Sequence, residues 1–176
     1  GPVALRWITT EDVPALFAVF GDAELCRYWS RPALADIAAA AALQQEIHAL
    51  FSARMLFQWG VVEQGTGSLV GTCTLASLDT THDRAEVGFA LRREVWGRGY
   101  ATAAVAALVA FAFTTLGLRR LEADADPRNA ASIRVLERVG FRREGLQRER
   151  YVLAGEVQDA LIFGLLRGEW SGEPPG

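Results

Sequence analysis

From Ala85 to Thr102 the sequence reads AEVGFALRREVWGRGYAT, a strand-like half followed by two spaced glycines, Gly97 and Gly99, and then an apolar, alanine-rich run to Leu116. That order predicts a strand, a glycine turn and a buried helix. The first N–H groups of a helix have no partner within it and lie at the positive end of its dipole. Glycines just ahead of them let the main chain approach a ligand closely, so the natural guest is a phosphate or pyrophosphate. Taken alone, Gly97 and Gly99 suit an ordinary tight turn better, and it is the flanking residues that decide for a ligand cradle. The thiols offer less chemistry. Cys26 and Cys73 lie far apart, with no C-x-x-C and no histidine cluster beside them. They read as buried free thiols of a reducing compartment, neither metal ligands nor a disulfide.

Around the turn the chain sets out strands and helices in sequence. Val3 to Ile8 predicts a first strand. Thr10 serves as an N-cap with Glu11 and Asp12 behind it, and Val13, Leu16, Phe17 and Phe20 fall at helical spacing up to Gly21. Asp22 to Pro32 is a loop carrying Arg27, Tyr28, Trp29 and Arg31. Ala33 to Ala53 is a second helix with Leu34, Ile37, Ala41, Leu43, Ile47, Leu50 and Phe51 on its buried side. Leu56–Glu63 and Leu69–Leu78 are strands, and the G-x-G between them is a hairpin turn, since another strand follows it. Ala85–Leu91 and Leu118–Asp124 are strands on either side of the alanine-rich helix. Asn129–Val139 is a helix stopped by Gly140, and Phe141–Tyr151 with Glu156–Leu166 forms a last hairpin around Ala154-Gly155. Two strands joined by a helical crossover run parallel, whereas the hairpin-linked strands run antiparallel. The fold class is α/β (α+β): one domain with a mixed, mostly antiparallel sheet, a central parallel pair and helices on both faces.

With 176 residues the chain suits a single domain, taken as 3–170. Gly1-Pro2 has the form of a protease remnant, and 171–176 is expected to be a disordered tail. A composition of 51% hydrophobic and 22% charged residues is that of a soluble globular protein. The net charge of -3 is too mild to suggest nucleic acid or an anionic membrane as partner. Tyr100–Leu116 approaches membrane-spanning length, but its small residues and its threonines suit a helix pressed on a sheet. No targeting segment is read, and the expected location is cytoplasmic. The oligomeric state stays open, a homodimer among the options.

The strand AEVGFAL, the WGRGYAT turn, NAASIRVLERVGF and the strand GEVQDALIFGLL together resemble the GNAT N-acetyltransferase superfamily. Within it they resemble the ribosomal-protein N-terminal acetyltransferase (RimJ/RimL-like) branch. The likeness runs from Val3 to Trp170, and the combined motif is specific where each piece alone is weak. It implies acetyl-CoA as cosubstrate, no metal, and a primary amine as acceptor. It also implies that the parallel strands splay apart. Each strand would then leave unpaired main-chain groups along the gap, where the amide-bearing pantetheine arm of coenzyme A can lie like an added strand.

The resemblance carries over residue by residue. Phe89, Ala90 and Leu91 would offer main-chain bonds to the arm. Gly97, Arg98, Gly99, Tyr100, Ala101 and Thr102 would hold the pyrophosphate, with Arg92, Arg93 and Arg98 as charge partners. Glu94 stands where the family turn opens on Gln or Arg, which leaves the backbone cradle intact but removes a side-chain contact. Asn129 either caps its helix or contacts the arm, and Ser132 either caps it or gives a proton to the departing thiolate. The family tyrosine seven residues after that Asn is Leu136 here, so Ser132 is the substitute acid. Glu86 takes the place of a strand glutamate that serves as general base in one branch. Trp29, Arg31, Arg27 and Tyr28 would form one wall of the acceptor site, and Tyr151 with the Ala154-Gly155 turn the other. Trp29 has core packing as its alternative, Glu86 a surface ion pair, and Asp159 a structural role.

A lysine amine of pKa about 10.4 must lose its proton at a cost of roughly 4 kcal/mol near neutrality, against about 1 kcal/mol for an α-amine. A weak or water-relayed base therefore suits a protein N-terminus best. A small amine such as an aminoglycoside, polyamine or amino acid ranks next, and a non-catalytic acyl-CoA-binding module is a rival from another class. A dinucleotide-binding domain fits poorly, because Thr102 fills the last glycine position of G-x-G-x-x-G.

Overall fold

Alternation of apolar and polar side chains lays down the sheet, and single capping residues decide where the helices begin. The structure, a computed structural model, describes residues 1–172, so the expected tail lies outside the described residues from position 173 onward. Within them the strands are β1 Val3–Arg6, β2 Leu56–Glu63, β3 Leu69–Asp79, β4 Arg84–Leu91, β5 Arg120–Ala125, β6 Arg142–Leu153 and β7 Glu156–Leu166. The α-helices are α1 Val13–Phe20, α2 Ala23–Cys26, α3 Ile37–Ser52, α4 Tyr100–Thr114 and α5 Ala130–Val139. The strands form one sheet in the order β1-β2-β3-β4-β5-β7-β6. Every neighbouring pair is antiparallel except β4 and β5, which α4 joins as a crossover.

Two apolar layers cover the sheet. On one face α4 and α5 pack over Val87, Leu91, Leu121, Ala123 and Phe163, with Ala104, Val105, Leu108 and Phe113 buried between. On the other, α1 and α3 bury Leu16, Val19, Phe20, Leu43 and Ile47 against Ile8 and Leu69. α4 is apolar around most of its circumference because sheet and α5 enclose it. At about 22 Å it is shorter than a bilayer core. Among the described residues no helix is long and apolar enough to cross a membrane.

The helix starts differ from the sequence reading, each time because a carboxylate decides. Asp12 is buried and accepts both ends of the Arg6 guanidinium at 2.7 and 2.8 Å and the Thr9 N–H at 2.8 Å. Thr9, not Thr10, therefore opens a 3₁₀ turn, and α1 follows at Val13. Asp22 caps the N–H groups of Glu24 and Leu25, which nucleates α2 inside the expected loop. Asp36 accepts from the Ala39 N–H at 2.8 Å and starts α3 at Ile37, three residues after the apolar pattern begins. Ile37 is consequently 49% exposed and Leu34 lies ahead of the helix, its N–H on the Phe20 carbonyl. Pro2, set aside as a remnant, accepts a backbone bond from Gln64 at the sheet edge. The Gln64–Ser68 segment is a hairpin turn as read.

Candidate active site

β4 and β5 pair at Arg84–Arg120, Ala85–Leu121 and Glu86–Glu122, and there the pairing stops. β4 continues to Leu91 against β3 alone, while β5 continues to Ala125 against β7 alone. The paired end is tied by ions: Glu122 accepts from Arg84 at 3.2 Å and from Arg120 at 2.8 Å, and Arg120 also reaches Glu144 at 2.5 Å. Beyond Glu86 the strands diverge around a cavity of about 780 Å³, within the range of cofactor sites.

Alternation fixes which main-chain groups face the gap. The Arg92 N–H bonds Val70, so Ala90 and Gly88, in register with Thr72 and Thr74, also turn their main-chain groups toward β3. Phe89 and Leu91 therefore face the gap, and Ala90 offers it a side chain instead of the expected backbone bonds. The Leu91 carbonyl is occupied by the Trp96 indole N–H at 2.6 Å, which leaves the Leu91 N–H as the donor at this point.

At the head of α4, Gly97 and Gly99 have φ of +78° and +77°, a left-handed conformation that favours glycine, and a Cβ on either would meet nothing within 4 Å. Among the described residues α4 has no side-chain cap and no bond to the first N–H groups after Gly99, and Ala101 and Thr102 border the cavity. The Tyr100 hydroxyl donates to Glu63 at 2.6 Å and pins the helix start to β2. The arginines expected here are held elsewhere. Arg93 bonds Asp22 at 2.5 Å, Arg98 stands 4.0 Å from Glu63, and the buried Nε of Arg92 has no partner among the described residues. Neither Arg92 nor Arg98 borders the cavity, whereas Arg134 and Arg138, on the exposed side of α5, do.

Across the gap Asn129 caps α5, its side-chain oxygen accepting the Ser132 N–H at 3.2 Å, and both residues border the cavity. Leu136 is buried in the core, so no tyrosine replaces it from that position. Among the described residues no side chain bonds the Ser132 hydroxyl.

On the sheet face opposite α4, Glu86 and Asp124 stand on the two sides of the parting strands, and the Tyr151 hydroxyl donates to Asp124. Burial, with Asp124 and Glu122 nearby, raises the Glu86 pKa above the usual carboxylate range. Burial together with the bond to Asp124 pushes the Tyr151 phenol up to about 12. Tyr151 thus joins the site through Asp124, a residue that sequence reading placed only at the end of a strand. The visible signal was its step of two from Glu122 along β5. Trp29 borders the cavity while stacking on Phe20 at 4.3 Å, so its packing and its site position coexist. Arg31 also borders it, gripped by Glu46 through two bonds of 2.7 Å. The guanidinium groups of Arg27 and Arg128 stand 5.2 and 5.3 Å from the centre of the Tyr28 ring. Asp159 accepts the Glu149 N–H at 2.8 Å, which orders the β6–β7 hairpin.

A gap edge of free amides, an uncapped helix start behind left-handed glycines and open space in front of them fit a pantetheine arm and its pyrophosphate. The comparisons with known proteins agree. The family model described as acetyltransferase (GNAT) domain matches residues 3–142. The chain is 32% identical over 170 residues to the uncharacterized N-acetyltransferase p20 of Bacillus licheniformis, covering 97% of this chain and 96% of that one. It is 25% identical over 172 residues to the spermidine N(1)-acetyltransferase of Escherichia coli K12, covering 97% and 89%. Mycobacterium smegmatis RimJ, solved in complex with CoA-disulfide, superposes with a TM-score of 0.87 over 95% of this chain and 83% of that one, at 24% identity, a likeness of fold. The chain belongs to the GNAT acetyltransferase family and is an acetyl-CoA-dependent N-acetyltransferase.

Proposed function

We propose that this enzyme acetylates a protein N-terminal α-amine by direct attack within a ternary complex, with Glu86 as general base and Ser132 as general acid. The observation that carries the reading is the position of Glu86, at the last paired residue before β4 and β5 part, inside the cavity and with a raised pKa. Acetyl-CoA supplies an activated thioester carbonyl. The Leu91 N–H, fixed by the Trp96 bond to the same residue's carbonyl, donates to that oxygen. Phe89 and Leu91 align the arm, and the start of α4 holds the phosphates, with Arg134 and Arg138 adding charge from α5. Glu86 takes the amine proton directly or through water. Ser132, whose hydroxyl no side chain bonds among the described residues, protonates the leaving sulfur.

The α-amine ranks first because a carboxylate is a weak base, and an α-amine needs about 1 kcal/mol to lose its proton where a lysine needs roughly 4. A small polyamine is the second reading, favoured by the Glu86–Asp124 pair and by the likeness to a spermidine acetyltransferase. Following thiol release from acetyl-CoA with N-terminal peptides, lysine peptides and polyamines decides the matter. Turnover is expected with the free-N-terminus peptides; turnover with spermidine alone overturns the first reading. Tight acetyl-CoA binding with no thiol release from any amine would favour a binding module instead.

A further inference from the structure

The cavity does not end at the amine. Strand register lines up Gly88 of β4 with Thr74 of β3 and Gln58 of β2, and in the next row Ala90 with Thr72. Alternating residues share a sheet face, so these side chains form one floor running sideways from the strand gap beneath α3. Gly88, Thr74, Thr72 and Gln58 all border the cavity, with Leu43 and Ile47 of α3 among the apolar residues that line it. Gly88 is the doorway. A Cβ there would sit 2.5 Å from the Thr74 Oγ1, so the hydroxyl leans over the space a side chain would fill.

The chemistry of this compartment is neutral. Gln58 and Thr72 are 7% and 2% exposed, unusual for polar residues, and Gln58 Nε2 donates to the Thr72 Oγ1 at 3.0 Å. That bond uses one donor and one lone pair, leaving the Gln58 Oε1 to accept and the Thr72 O–H to donate. The Thr74 hydroxyl has no partner among the described residues. Glu46, on the same face of α3 as Leu43, is neutralised by Arg31 through two bonds of 2.7 Å. Among the described residues, the Gln58, Thr72 and Thr74 floor itself carries neither a carboxylate for a second cation on the acceptor nor a cation for a carboxylate.

We propose that this floor is a specificity pocket for an acceptor that carries a hydroxyl group close to the attacked amine. Thr74 stands beside Gly88, the next residue after Glu86 on the same face of β4, so an acceptor whose amine lies at Glu86 brings a hydroxyl on a neighbouring carbon toward Thr74. Thr74 contacts it first, and the Gln58–Thr72 pair closes the pocket behind. An N-terminal seryl residue and a small amino alcohol share this chemistry. The inference rests on the acceptor amine lying at Glu86, as in the proposed function.

Four acceptors test it with acetyl-CoA: a Ser-initiated and an Ala-initiated tetrapeptide of otherwise equal sequence, ethanolamine and propylamine. The hydroxylated member of at least one pair is expected to show a kcat/KM about tenfold higher than its partner. Preference confined to the peptide pair assigns the pocket to a protein N-terminus, and preference confined to the small amines assigns it to an amino alcohol. Thr74→Val should bring the ratio close to one, and Thr74→Ser should restore it, which separates a lost contact from a damaged fold. Calorimetric titration of the same four amines onto the CoA-loaded protein reads the discrimination without turnover. Equal constants within both pairs, or a ratio that survives Thr74→Val, overturns the pocket. Discrimination in binding with no acetylation of any amine supports the pocket and overturns the acetyl-transfer reading alone.

Discussion

Trp96 donates its indole N–H to the Leu91 carbonyl at 2.6 Å, tying the residue before the glycine turn to the end of the strand that precedes it. The bond removes the one acceptor at Leu91 that would repel a thioester oxygen and leaves the donor. Trp96→Phe keeps the ring and loses the bond. The KM for acetyl-CoA should rise about fivefold, the equivalent of one hydrogen bond near 1 kcal/mol, and kcat should fall with it, as initial rates would show.

Glu86→Gln should lower kcat/KM roughly 100-fold and remove the acid limb of the pH–rate profile. In the wild type that limb should lie above the pH at which an ordinary glutamate titrates, since burial, Asp124 and Glu122 all raise the Glu86 pKa. The stability effect has the opposite direction. A carboxyl whose folded pKa is raised binds its proton more tightly in the fold, so its ionised form costs stability once pH rises above the unfolded pKa. Thermal melts of Glu86→Gln should match the wild type at pH 4 and lie above it at pH 7.

Gly99→Ala places a side chain at φ +77° and should cost about 1–2 kcal/mol of stability in denaturant melts. Its Cβ meets no protein atom within 4 Å, so strain and not a clash causes the loss. The added methyl also projects toward the space in front of α4, and coenzyme A binding measured by calorimetry should weaken roughly fivefold or more.

Ser132→Ala should lower kcat by roughly 100-fold while leaving the Kd for coenzyme A unchanged, since Asn129 accepts the backbone N–H of residue 132 and not its hydroxyl. Unchanged turnover removes Ser132 from the mechanism.

The succession of elements and the parallel crossover were legible because β4 and β5 alternate with a period of two and an unbroken apolar, alanine-rich run of helix length lies between them, and the cradle because left-handed turns need glycine. Helix starts were less so. Asp22 and Asp36 cap N–H groups two or three residues on, a local signal hidden by the apolar residues around it, whereas Asp12 acts through the Arg6 guanidinium, a partner that a linear reading does not supply. The side-chain charges went astray for the same reason: Arg93 is drawn to Asp22, seventy-one positions away in sequence. Asp124 meets Glu86 from the far side of a helical crossover, and the Gln58–Thr74 floor is assembled only by the register of successive strands. Ala90 fails as a rail donor because its main-chain groups are turned to β3, a parity that one bond, Arg92 to Val70, sets for the whole strand.

The parting of β4 from β5 also reverses the usual ranking of amide protection. Backbone amides at the centre of a sheet ordinarily exchange with solvent most slowly, because both strand edges are paired. Here the fourth of seven strands has one edge open past Glu86, so the amides of Phe89 and Leu91 should take up deuterium early while their neighbours Ala90 and Arg92 stay protected. Loading coenzyme A should close that alternation and leave a footprint on every second residue, an imprint of occupancy that can be read without catalysis.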